Sequence, residues 1–269
     1  MSIRSIVRLR PGPQLARECL AVLAATILAG CFGSNPVGPV ERQPPLGPTV
    51  FIDPDIVTDA DPTTLDSVDP TGTGQRSMFD QRADGFVTVE AHLFDATFDD
   101  GLSVEVQVNP EFTEAEALAV AEKYAESIGR LPTALRRDVA SVWIHRGAVL
   151  FDGVGQSVLI HTELADEYEA AGVLEEVLIH QAAHASLDAA HANAAGWMAA
   201  QVEDDVFISQ LAEDSPTGED IAESMVPYIA ARYRTDRITD FLEALILDAI
   251  PARIAYLDGL ALDMYPLTN

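Results

Sequence analysis

The chain is predicted to form an α+β domain, and three observations carry that expectation. Residues 85–108 alternate apolar and polar side chains in the manner of two strands. From about residue 165 onward, apolar residues recur at helical three- and four-residue spacing. The strands come first and the helices follow, with no internal repeat, which is the order of an α+β domain rather than of repeated βαβ units.

The first elements are not part of that domain. Arg4, Arg8, Arg10 and Arg17 precede the apolar run "CLAVLAATILAG" at 19–30. The run falls short of the roughly 20 residues that span a bilayer. A basic region followed by a short apolar one reads as a secretory leader over residues 1–30. It ends in Leu28-Ala29-Gly30-Cys31, which resembles the lipobox of bacterial lipoproteins. That resemblance implies cleavage before Cys31, lipidation of Cys31, and an exported protein anchored in the cell envelope. The alternative is an ordinary leader with a chance cysteine. No cysteine follows Cys31, so core packing or a metal must hold the exported part.

The formal charge is −27, and the first 30 residues hold four Arg and one Glu, leaving −30 on the remainder. Such an acidic surface repels nucleic acid, so no nucleic-acid partner is expected. Residues 31–50, rich in Pro and Gly, read as a tether. Residues 51–84 carry Asp53, Asp55, Asp59, Asp61, Asp66 and Asp69. Alternating Asp raises a calcium site, but the EF-hand glycine and terminal Glu are missing. Asp-Pro turns in a solvated segment are the expectation, and the domain is read as residues 85–269.

Within it, "GFVTVEAHLFDATF" and "LSVEVQV" flank the turn Asp99-Asp100-Gly101, a β-hairpin. Thr113 with Glu116 three residues on forms a capping box for a helix to Gly129, and Pro132 supports its end. Residues 139–145 and 157–161 read as strands. A long helical stretch runs from Ala165 to about Ala189, with Gly172 the place where it divides. Its surroundings are apolar on every side, so it is expected to be buried. Further helices are expected at 206–212, from Gly218 to about Tyr233 with Thr217 as cap, and from about Thr239, broken or kinked at Pro251.

The buried helix holds His180 and His184. Four-residue spacing places both rings on one face, where they can share a tetrahedral metal ion. The alternative is two satisfied core histidines. Asp188 lies one turn further on and can accept from the ring of His184. His191 lies about 10 Å beyond His184 along a straight helix and is placed outside the site. Glu219 and Glu223 fall on one face of the later helix, from which a carboxylate can reach the histidines. Glu223 is expected to support either the surroundings of Glu219 or a histidine N–H. The alternative for both is a solvated helix N-terminus, which favours acids.

"EEVLIHQAAHASLD" and "EDIAES" together resemble the gluzincin-type zincin metallopeptidases, most nearly the peptidase domains of anthrax lethal-factor-like proteins. They also resemble bacterial zincin-like lipoproteins with an H-E-x-x-H motif. The match covers about residues 175–225. It implies Zn²⁺ held by His180, His184 and Glu219, with a small mixed or antiparallel sheet packed on the zinc helix, a helical C-terminal part, and a peptide or protein substrate. Two departures stand out. Gln181 occupies the place of the general-base Glu, and an amide cannot take a proton from bound water. The region before Glu219 has Leu211 where the pattern carries a Tyr; Tyr228 and Tyr233 come only later. The reading is therefore a zinc-binding, metallopeptidase-like lipoprotein with peptide hydrolysis reduced or lost. The competing readings are a non-catalytic peptide-binding or structural envelope protein, or a peptidase whose base is another carboxylate, Glu176 or Glu223 first. A third is a protein with structural histidines that binds through its acidic segment.

Overall fold

The computed structural model describes residues 42–52, 56–151 and 154–268. The expected leader, Cys31 and most of the expected tether lie outside them. Among the described residues no helix is long and apolar enough to cross a membrane.

One five-stranded mixed sheet organises the fold, in the order β1 (Leu65–Asp80), β2 (Gly85–Phe98), β3 (Ser103–Val108), β4 (Ser141–His145) and β5 (Ser157–His161). The first three strands are antiparallel; β3, β4 and β5 run parallel. Between β3 and β4 lie α1 (Glu114–Gly129) and the single turn α2 (Thr133–Arg136). The capping box starts α1 as expected: Thr113 Oγ1 accepts from Glu116 N–H, and Glu116 accepts from Thr113 N–H.

β4 and β5 are buried on both faces, and period-two alternation sorts their side chains. Val142, Ile144, Val158 and Ile160 enter the main core beneath the helices. Trp143 and Leu159 point the other way, into a smaller cluster with Met78, Ala91 and Leu93. That cluster exists because the β1–β2 hairpin outruns the sheet. β2 pairs with β3 only over His92–Thr97, so its first half and the matching part of β1 form a free arm. The arm returns over β4, with Phe86 edge-on to Trp143 at 5.9 Å.

This corrects the reading of residues 51–84 as solvated turns. Residues 65–80 form an edge strand, where Asp66 and Asp69 stay in water and Pro70 sits beside a register shift. Asp61 is buried and forked on Arg237, at 2.7 Å from Nη2. Residues expected as tether or acidic segment also enter the core, through Val50, Ile52, Ile56 and Val57.

After β5, the helical stretch divides where expected. α3 (Thr162–Ala171) ends at Gly172, whose φ of 72° is the left-handed conformation that lets the chain turn into α4 (Leu174–Leu187). α4 runs on as a π-helical turn, Asp188–Ala192. α5 (Ala195–Asp204), unanticipated in the sequence, precedes α6 (Gln210–Asp214) and α7 (Asp220–Tyr233). Thr217 does not cap α7. The helix begins at Asp220, with Glu219 as the flanking residue and its side chain turned elsewhere. α8 (Asp240–Ala249), capped by Thr239, and α9 (Pro251–Gly259) are separated by Pro251.

The start of α7 is held by a fully buried ion group. Arg253 of α9 donates from Nε to Asp220 at 2.9 Å and from Nη1 to Asp204 at 3.1 Å. Gln201 adds a second donor to Asp220 at 2.9 Å. Losing one partner of such a buried group typically costs about 3–5 kcal/mol, because a charge is stranded.

His145 and His161, paired in register on β4 and β5, stack with centroids 5.4 Å apart and are wholly buried. His161 donates from Nδ1 to Arg146 O, and His145 accepts at Nδ1 from Asn109. Burial holds the His145 pKa down at about 4, against the partial pull of Asp80; His161 and Arg82 add to the depression. An unfolded histidine protonates near 6.5. Between those values the unfolded chain takes up the proton and the folded chain does not. Stability from this residue is therefore intact above about pH 6.5 and is lost as the pH falls towards 4. Denaturant unfolding should show a loss of about 2–3 kcal/mol between pH 7.5 and 4.5 that is absent in His145→Gln. An equally steep loss in the variant would contradict this assignment.

Candidate metal centre

α4 presents one stripe at four-residue spacing: Glu176, His180, His184 and, at its end, Asp188. α7 packs across it and contributes Glu219 and Glu223. The two helices bring together the residues singled out from the sequence. His180, His184 and Glu219 form a group able to hold a metal ion. His180 Nε2 stands 3.0 Å from His184 Nε2, and Glu219 Oε2 stands 3.4 and 3.3 Å from them. Donor atoms at about 2.0–2.1 Å around a tetrahedral ion stand about 3.3–3.4 Å apart, so the triangle is close to one face of such a tetrahedron.

The far sides of both rings point to the same conclusion. His184 Nδ1 lies 2.8 Å from Asp188 Oδ2, and His180 Nδ1 lies 3.1 Å from Glu223 Oε1. A carboxylate can only accept, so each Nδ1 carries a proton. With neutral rings, both Nε2 lone pairs then face each other and an anionic oxygen, an arrangement that calls for a cation. Without one, protons must serve. Burial alone would lower the pKa of His184, but Asp188 and Glu219 outweigh it and raise it to about 9. His180 is also raised, against burial, by Glu219 and Glu223. Glu219 is held at about 2 by the two rings although burial pulls the other way. A divalent ion can replace two such protons without changing the net charge of the cluster.

Local structure explains why Glu219 is free to serve. It flanks α7 but makes no cap hydrogen bond; the chain there is turned by Gly218 and Glu219 N–H donating to Ser215 O. The Arg253–Asp220 pair then fixes where α7 begins, and so where Glu219 points. Arg253 and Asp204 had no sequence signal beyond a lone arginine in the apolar stretch "PARIAYL".

Gln181 has a different setting from the ligands. Its Oε1 accepts the N–H of Leu159 on β5, the edge strand, at 3.1 Å. It is buried, and its Nε2 has no hydrogen-bond partner. It joins the metal helix to the sheet and cannot remove a proton from water. The alternative bases are also withdrawn from solvent. Glu176 accepts from Ile52 N–H at 2.7 Å, and Glu223 from the Thr49 hydroxyl at 2.7 Å and Val50 N–H at 3.1 Å. Their exposures are 0% and 1%. Tyr228 and Tyr233 pair with each other, hydroxyl to hydroxyl at 3.3 Å, and do not line the cleft beside the centre.

That cleft, about 480 Å³, is bounded by His184, Glu219, Asp188, Gln156, Asn193 and Thr217 among others, with no Lys or Arg in its wall. The remaining histidines are elsewhere. His191 bonds Tyr256, His92 bonds Phe112 O, and His161 is buried against His145.

Asp188→Asn should preserve the fold and weaken metal binding by about 10–100-fold, because the amide no longer fixes the His184 tautomer as a carboxylate does. Competition titration with a chromogenic chelator measures this, and an unchanged affinity would remove Asp188 from the centre. No family model, curated protein or solved structure matches this chain.

Proposed function

We propose that this chain is a zinc-binding, metallopeptidase-like protein of the zincin type whose peptide hydrolysis is reduced or lost. It is exported and anchored to the cell envelope through Cys31. The observation that carries the metal reading is the triangle of His180 Nε2, His184 Nε2 and Glu219 Oε2, with both Nδ1 atoms already committed to carboxylates. Two imidazoles and one carboxylate are a ligand set suited to zinc that leaves a fourth position open. Bound there, zinc would polarise a carbonyl and acidify a water molecule.

What the chain's own residues add is incomplete. Gln181 can hold a donor from β5 but cannot act as a base, and among the described residues no Tyr lines the cleft. Loss of a general base typically lowers the rate about 10²–10⁴-fold. The cleft remains, so a second reading, a pseudopeptidase that binds peptides without cutting them, draws on the same two facts.

Purified from zinc-supplemented growth, the protein should carry about one equivalent of zinc per chain. Less than about one tenth of an equivalent would end the metal reading. Gln181→Glu can keep the Leu159 bond through one oxygen. It should raise cleavage of unstructured peptides by up to about 10²–10⁴-fold over the parent. A parent that already cuts as fast would place the base on another residue. A variant with zinc and no gain would favour the binding protein.

A further inference from the structure

The chain ahead of the first strand forms a strap across the metal-centre helices. Leu46 N–H donates to Ile208 O, while Gly47 O and Pro48 O accept from Gln210 and Leu211 N–H. The deeper attachments are carboxylates. Glu223 Oε1, the oxygen facing His180 Nδ1, accepts the Thr49 hydroxyl. Glu223 Oε2 accepts Val50 N–H and the Ser209 hydroxyl. One turn before His180, Glu176 accepts Ile52 N–H at 2.7 Å and Ile56 N–H at 3.4 Å.

We propose that metal occupancy and strap docking are coupled through Glu223: a filled centre tightens the strap, and a docked strap raises the affinity of the centre. The proposal rests on the metal reading above. Its physical cause is the two-sided histidine ring. A cation on Nε2 fixes the Nδ1–H tautomer of His180 and polarises that N–H towards Glu223. With no cation on Nε2, the ring is held on its Glu223 side alone, and its position 3.1 Å from that carboxylate is less fixed. The other donors to the buried carboxylate are Thr49 and Val50 of the strap and Ser209. In the other direction, the strap's two donors hold Glu223 in line with His180, as an outer partner orients a ligand. Such coupling is reciprocal by thermodynamic necessity.

Hydrogen exchange on the full chain tests this, with zinc at one equivalent and with a chelator. Zinc should slow exchange at the Val50 amide by about fivefold or more, the lower end of ordinary coupling. Ala117 N–H, bonded within α1 to Thr113 O, should not change. Thr49→Val, which removes one donor to Glu223 at little cost in shape, should bind zinc about tenfold more weakly. Zinc bound stoichiometrically with Val50 exchange unaltered would overturn the coupling and leave the metal centre standing. Failure to bind zinc at all would overturn both.

Discussion

Glu223 is a carboxylate withdrawn from water where three parts of the chain meet, and a buried charge is tolerable only when donors surround it. His180, Thr49, Val50 and Ser209 are those donors. They come from α4, from the strap and from the turn before α6. Despite its burial, the Glu223 pKa is drawn below the usual range by His180 first and the hydroxyls after it. The crossing of α4 and α7 is thereby defined at one point, and the positions of His180 and Glu219 follow from that crossing. The buried group Asp204–Arg253–Asp220 sets the other end, fixing where α7 starts.

The sheet enters the centre through Gln181. A strand at the edge of a sheet leaves backbone groups unpaired. Leu159 N–H on β5 is satisfied by the Gln181 side chain, so the metal helix itself covers that part of the edge. This gives the residue a scaffolding role that any carbonyl-bearing side chain of its length could fill. A glutamine makes this join, and its amide takes up no proton from water. The chemistry at this position can therefore change without the architecture changing.

Much of this was legible along the chain. The Thr113/Glu116 capping box, the break at Gly172, the hairpin turn at 99–101 and the division at Pro251 are local signals, and each element follows its own sequence. The stripe His180, His184, Asp188 is likewise local, because helical periodicity alone aligns it. β1 was hidden. An edge strand exposes most of its side chains, so its Asp and Pro residues look like turns, and only pairing with β2 gives it structure. α5 was hidden because it is short and made largely of small residues, "AGWMAAQVED", without a cap hydrogen bond at its start.

The sequence by itself determined which residues could ligate a metal and that the residue next to His180 is an amide, since both depend on residue identity and helical spacing. It also determined the α+β order of elements. Tertiary structure decided how Glu219 and Glu223 meet the histidines, because both lie at the start of one helix and its crossing with α4 sets which ring nitrogen each reaches. It decided that His161 packs inward, that Asp61 meets Arg237 instead of water, and that Thr49 and Val50 bind Glu223. Each of these is a meeting of groups far apart in the chain, and no local periodicity encodes the distance between them.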